Sequence, residues 1–314
     1  MKDFLWTEIY RPKTVAECIL PDRLKSVFQS YVDKREIPNL LLTGTAGVGK
    51  TTIAIAMCEE IGINYMFIKS SEESGIDTIR NKITNYASTV SLMGDRKVII
   101  LDEADGLSHE AQKALRGAIE AFSKNCTFIL TCNYKAKIIE AIHSRSAVID
   151  FTLRSEEKPK MASLFYKRLC AILKEQNVEY KQDVLVKIVE KYFPDFRRIV
   201  NELQRYSSTG KIDETTLAQI NAIKNISDLV ALLKDKNWSG MRKWVTLNSD
   251  TDQATINRKI YNGMSEFLKP ESIPQCVVII GRYQYQAAFV SDLEINMVAM
   301  LTEIMVECEF LLDI

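Results

Sequence analysis

The stretch GTAGVGKTT begins at Gly44, directly after a short apolar run, and fits the pattern G-x-x-x-x-G-K-[ST]. Glycines so placed let backbone N–H groups curl around phosphate oxygens, and a helix that starts at the lysine adds the partial positive charge of its N-terminus. Gly44, Thr45, Ala46, Gly47, Val48 and Gly49 would form that loop, with Thr52 just behind it. Lys50 would reach the β- and γ-phosphates of a nucleoside triphosphate, and the Thr51 hydroxyl would ligate Mg²⁺. The bland alternative is an ordinary Gly-rich turn; a predicted strand before it and helix after it weigh against that reading.

A second constellation lies downstream, where residues 97–105 read KVIILDEAD. Asp102 and Glu103 end a predicted strand, the edge at which open α/β sheets bind ligands. Asp102 would hold Mg²⁺, through water, and Glu103 would polarise the attacking water, a task possible only within about 3 Å of it. Alone, the pair could be a solvated turn. Beside a phosphate loop it supplies the metal anchor and base that hydrolysis requires. FILTCN ends the next strand on Asn133, whose amide could bond that water or the γ-phosphate, although in isolation it reads as a turn residue.

These side chains need a scaffold that brings distant strand ends together. Between Asn39 and Phe151 the runs NLLLT, NYMFIK, KVIIL, CTFILT and AVIDF alternate with helical patterns such as HEAQKALRGAIEAF. Strands apolar throughout, alternating with helices, predict a doubly wound α/β domain with a parallel five-stranded sheet covered on both faces. After Ser155 the strand signals stop and the chain reads as all-α. EEKPKMASLFYKRLCAILKEQ, QDVLVKIVEKYF and FRRIVNELQRYSSTG are amphipathic, and a boundary is expected near 221–227. DLEINMVAMLTEIMVECEFLL carries apolar residues on more than one stripe, as for a helix central to its domain or packed on other subunits. Domains are expected over residues 1–154, 155–224 and 225–314.

Composition narrows the partners. Lys plus Arg and Asp plus Glu number 41 each in 314 residues, so any nucleic-acid contact must come from a local patch. Seven scattered cysteines with no CxxC pair, and only two histidines, argue against structural zinc and for reduced core thiols in a cytosolic protein. No signal peptide or membrane span is read in the chain, so a soluble, cytoplasmic protein is expected.

Taken together, GTAGVGKT, IILDEAD, Asn133, HSRS and PDFRRIVNELQ resemble the AAA+ clamp-loader ATPases. WTEIYRP is similar to that family's W-x-E-K-Y-R-P, and SGIDTIRNKI to its R-G-I-D-x-V-R, with Ser74 in place of the first arginine. ECILP and YFPDFRR look most like the phage branch of the family. Thr45 and Ala46 replace two prolines, Ser146 a cysteine, Pro194 a glycine and Ile9 a lysine; none of these exchanges removes a catalytic group.

The resemblance, which spans residues 6–206 by motif, implies an ATP-hydrolysing subunit with a helical lid and a helical collar that joins subunits. It implies Arg145 as an arginine finger reaching a neighbour's ATP, Arg197 as a sensor on the lid, and Tyr10, Arg11 and Pro12 at the adenine side. It further implies a ring-shaped sliding clamp, other copies of the chain and a companion subunit as partners, and primer-template DNA held through Arg80, Lys82, Lys113 and Arg116. Without the family, Arg145 and these four cations read as solvated surface charges. A DEAD-type helicase needs a second nucleotide-binding-like domain, and only helices follow Phe151. Two alternatives stay open: another AAA+ DNA motor, such as a branch-migration or helicase-loading ATPase, and a nucleotide-gated scaffold.

Overall fold

The computed structural model describes residues 4–70, 76–89, 96–207, 210–213, 226–249 and 252–311; Ser74 and most of the expected boundary at 221–227 lie outside them. Five parallel strands form one sheet: β1 (Leu40–Thr43), β2 (Tyr65–Lys69), β3 (Lys97–Asp102), β4 (Cys126–Cys132) and β5 (Ala147–Asp150), in the order β2-β3-β4-β1-β5. Successive residues of a strand face opposite sides, so the apolar runs feed two cores. Leu40, Leu42, Ile100 and Ile129 pack with Phe28 of α2 (Asp22–Lys34) and Ile53 and Met57 of α3 (Lys50–Ile61). Leu41, Ile99, Leu101 and Phe128 pack with Ile83 of α4 (Ile76–Ser88) and Leu115 and Ile119 of α5 (His109–Ala121).

β1, β3 and β4 are buried along their whole length. The outer strands depart from the expectation of full cover. β2 and β5 stand at the sheet's edges and keep exposed side chains, among them Phe67 and Val148.

Three helices follow, α7 (Lys158–Glu175), α8 (Gln182–Tyr192) and α9 (Phe196–Ser207), after the short α1 (Trp6–Ile9) and α6 (Glu140–His143) earlier in the chain. No strand was expected here, yet β6 (Glu179–Tyr180) and β7 (Lys211–Ile212) pair in parallel. Two residues are too few for a period-two pattern to show. All these elements belong to one compact unit, Met1–Glu214.

The second unit, Thr215–Ile314, contains α10 (Ile226–Lys234), α11 (Trp238–Leu247), α12 (Gln253–Phe267), α13 (Ile273–Gln286) and α14 (Leu293–Glu307). α14 is central to its core through Met297, Met300, Leu301 and Ile304, while Leu293, Ile295 and Val306 stay exposed on it. Among the described residues all seven cysteines are free, and no helix is long and apolar enough to cross a membrane.

Candidate functional site

The sheet order puts β1, the strand before the phosphate loop, beside β4 and one strand away from β3. Their C-terminal ends therefore meet at one place, where a reversal of strand order opens a crevice. A single cavity there is lined by Ala46, Gly47, Gly49, Lys50, Thr51, Thr52, Asp102, Glu103 and Asn133. Gly44, Thr45 and Val48 are outside its wall: the Gly44 and Thr45 carbonyls accept from Lys50 Nζ at 2.7 and 2.8 Å, and the Val48 side chain enters the core.

α3 starts at Lys50, with Gly49 at φ +93° as its N-cap. Glycine offers no side-chain acceptor, so the first-turn N–H groups remain for an anion. Lys50 is 7% exposed and also donates to Asn133 Oδ1 at 2.9 Å. Burial lowers its pKa from the ordinary lysine value; nearby Arg197 adds to this, and the Asp102 and Asp105 carboxylates oppose it. A polyanion beside this ammonium would push its pKa back up.

Asp102 Oδ1 accepts from Thr51 Oγ1 at 2.6 Å and from Thr131 Oγ1 at 2.7 Å. A hydroxyl and a carboxylate in contact at a helix start suit Mg²⁺, which takes one or two protein oxygens and fills its remaining positions from phosphate and water. Among the described residues no group of three or more His, Cys, Asp or Glu could hold a metal. Glu103 stands at φ +55°, ψ +44°, a left-handed conformation that costs a non-glycine residue about 1–3 kcal/mol. Its N–H donates to Thr131 Oγ1 at 3.0 Å, which helps fix the turn. Asp105 Oδ2 accepts the backbone N–H groups of Asn133 and Tyr134 at 3.2 and 3.0 Å, and so anchors the strand end that presents Asn133.

Thr131 and Asp105 were missed in the sequence. Thr131 lies in β4, two residues before Asn133, which follows the strand's last residue; its position near that strand end was the available hint, though nothing in it specified the hydroxyl's bonds.

The rest of the wall is contributed by the N-terminal segment and by α7 and α9. Tyr10, Arg11 and Pro12 line it, joined by Trp6, Cys18 and Leu20, for which the sequence motifs give no signal. Burial pushes the Cys18 thiol up to about 12, so it is a neutral, apolar neighbour. Arg11 Nε is buried there without a partner. Phe165, Arg168 and Ile172 of α7 and Phe196, Arg197 and Val200 of α9 complete the wall. A polar end at the phosphate loop and an apolar end bearing one orphaned donor match the two halves of a nucleotide.

The junction between loop and lid is close. Phe196 N donates to Gly47 O at 3.1 Å, and a Cβ built on Gly47, at φ +76°, would fall 1.8 Å from Asp195 Oδ1. That same oxygen accepts from Arg198 N at 3.0 Å at the start of α9. Gly49 is also left-handed, but nothing lies within 4 Å of its Cβ position. Alanine at either site should cost about 1–2 kcal/mol of backbone strain. Only Gly47→Ala should lose further stability by displacing the lid. Denaturant melts of the two variants check this, and equal losses would mean that the contact carries no weight.

Arg145 lies outside the cavity wall, just past α6, on the surface. Its Nε and Nη2 bond Glu120 Oε1 at 2.7 and 2.5 Å, and its Nη1 bonds Ala141 O at 2.8 Å and Ser144 Oγ at 3.1 Å. Arg80 and Lys82 on α4 and Lys113 and Arg116 on α5 are exposed, on helices packed against each other. Lys113 is paired with Glu110 at 3.1 Å.

Residues 40–153 match the ATPase family associated with various cellular activities, and residues 157–218 match the sliding-clamp-loader large subunit, AAA+ ATPase lid domain. The chain is 33% identical to the sliding-clamp-loader large subunit of Escherichia phage RB69, over 98% of this chain and 97% of that one. It is 37% identical to the replication factor C small subunit of Archaeoglobus fulgidus, over 74% of each. Among solved structures, a point mutant of RuvB from Thermotoga maritima superposes with a TM-score of 0.52 at 18% identity, covering 67% of this chain and 72% of that one; this likeness concerns the fold alone.

Proposed function

The chain belongs to the AAA+ sliding-clamp-loader ATPases and is an ATP hydrolase, and on that premise we propose how its residues divide the work. In our reading the cavity takes ATP, with the triphosphate at the loop of residues 44–49 and the adenine between the N-terminal segment and the lid. Lys50 exchanges its two carbonyl partners for β- and γ-phosphate oxygens. Thr51 and Asp102 would hold Mg²⁺, which would supply charge neutralisation for the triphosphate. Glu103 takes a proton from the attacking water, Asn133 orients that water or the γ-phosphate, and Arg197 reaches ATP from the lid of the same chain.

One observation carries the reading. Lys50, Thr51, Asp102, Glu103, Asn133 and Arg197 share a cavity, while Arg145 stands on the surface away from it. Arg145 therefore suits the ATP of a neighbouring copy, and each centre becomes complete only on assembly. We place the AAA+ domain at 1–154, the lid at 155–224 and a collar that joins copies with a companion subunit at 225–314. Exposed cations on α4 and α5 would grip primer-template DNA through phosphates, without reading sequence. ATP binding would open a ring-shaped clamp, and hydrolysis would release it closed on DNA. The setting is the cytoplasm, that of the host if the chain is phage-encoded.

ATPase rate against added clamp and primed DNA, after co-expression with companion subunits, tests the scheme. Turnover should be slow alone and rise at least tenfold, by the logic of a shared active centre, when both are present. Equal turnover with and without them would sink it.

A further inference from the structure

The motif PDFRRIVNELQ ends in a glutamine to which the scheme above gives no task. Gln204 lies on α9, and its side chain reaches across to the N-terminal segment. Its Oε1 accepts from Trp6 N at 2.9 Å, and its Nε2 donates to Phe4 O at 2.9 Å. A primary amide is the neutral side-chain head that carries one acceptor and two donors in a plane, so it can pair with a peptide backbone as a neighbouring strand would. Trp6 is the first residue of α1, and its N–H is one that no carbonyl of its own helix can accept. Gln204 therefore caps α1 and fastens it to the lid with the same head group.

The position matters because of what each side of the bond carries. Arg197, Val200 and Gln204 stand at i, i+3 and i+7 on one face of α9, and the first two line the nucleotide cavity. On the other side the segment 4–12 bears Tyr10 and Arg11 in the opposing wall. α1 also packs against α9, and two further hydrogen bonds from the lid reach this strap at Tyr10: Gln176 Nε2 donates to its hydroxyl at 2.6 Å and Arg168 Nη2 to its carbonyl at 3.4 Å. Trp6 itself is 6% exposed and meets the Tyr10 ring edge-on, with centroids 6.4 Å apart.

We propose that Gln204 is a clasp: by holding the N-terminal strap to the lid it keeps the adenine side of the cavity closed and sets how fast nucleotide leaves. It is a positioning residue, which touches the walls of the site and not the nucleotide. This inference rests on the nucleotide reading given above.

The test measures dissociation of a fluorescent ATP analogue, and KM and kcat for ATP, on the full chain in its complex with clamp and primed DNA present. Gln204→Met keeps the length and apolar stem of the side chain and removes both bonds. Two lost hydrogen bonds should speed dissociation and raise KM about tenfold, with a much smaller change in kcat. Gln204→Glu keeps the acceptor for Trp6 N but sets a carboxylate against Phe4 O. Its dissociation rate should slow towards that of the unaltered protein as pH falls from about 6.5 towards the ordinary glutamate pKa of about 4.3 and the carboxyl gains a proton to donate. A purely structural role would give no such pH profile.

Lys50→Ala separates the two readings. Undiminished nucleotide binding in that variant would overturn the phosphate site itself. Loss of binding in Lys50→Ala, with Gln204→Met and Gln204→Glu both unchanged in KM and dissociation rate, would overturn the clasp alone.

Discussion

Replacing Arg145 with alanine should remove about 10³- to 10⁵-fold of the clamp- and DNA-stimulated ATPase while ATP binding to the altered chain persists. The expectation follows from where the guanidinium is. It is 35% exposed, lies outside the wall of its own chain's cavity and is held by Glu120, Ala141 O and Ser144 Oγ. Exposed ion pairs are worth about 0–1 kcal/mol, so exchanging Glu120 for a neighbour's γ-phosphate costs little. The gain comes only in the transition state, where negative charge spreads over the transferred phosphoryl oxygens. Mixed assemblies give the decisive measurement. When Arg145→Ala is confined to one position, hydrolysis should fail in the adjoining subunit and continue in the altered one. The reverse pattern, failure within the altered chain alone, would end the shared-site scheme.

Much of this was legible because a few positions admit few residue types. A loop that wraps phosphate needs glycines at left-handed positions, and Gly47 and Gly49 occupy two of them. Buried parallel strands need unbroken apolar runs, and β1, β3 and β4 have them. The apolar half of the cavity was not legible for the converse reason. Cys18, Leu20, Phe165, Ile172 and Val200 come from segments far apart in sequence, and each reads as an ordinary core residue. Thr131 is a β-former inside a strand, and nothing in that pattern says that its hydroxyl joins the Asp102 carboxylate to the Glu103 amide. Gln204 bonds backbone atoms about two hundred residues away, and no local spacing encodes such a contact. The exposed edges of the sheet follow from strand order, which the sequence of strands alone leaves undetermined.

Glu103→Gln should separate binding from turnover most cleanly. The substitution keeps side-chain shape and leaves the left-handed backbone and its bond to Thr131 undisturbed, so the cavity should form and ATP should enter. What it removes is the only function that distinguishes the two side chains here, a negatively charged acceptor for the water's proton. Loss of a general base typically costs about 10²- to 10⁴-fold in rate. In the proposed site Asp102 would not substitute for it, since its Oδ1 accepts two hydroxyls and its carboxylate would be engaged by Mg²⁺. In the proposed scheme clamp opening would depend on ATP being bound, and release on its being cleaved. The variant should therefore load ATP, engage clamp and primed DNA, and stall with all of them held. Stopped-flow assays of clamp release, run beside phosphate release, would show both steps blocked together. Turnover within about tenfold of the unaltered protein would instead place the base elsewhere and leave Glu103 as a strained turn residue with no chemical task.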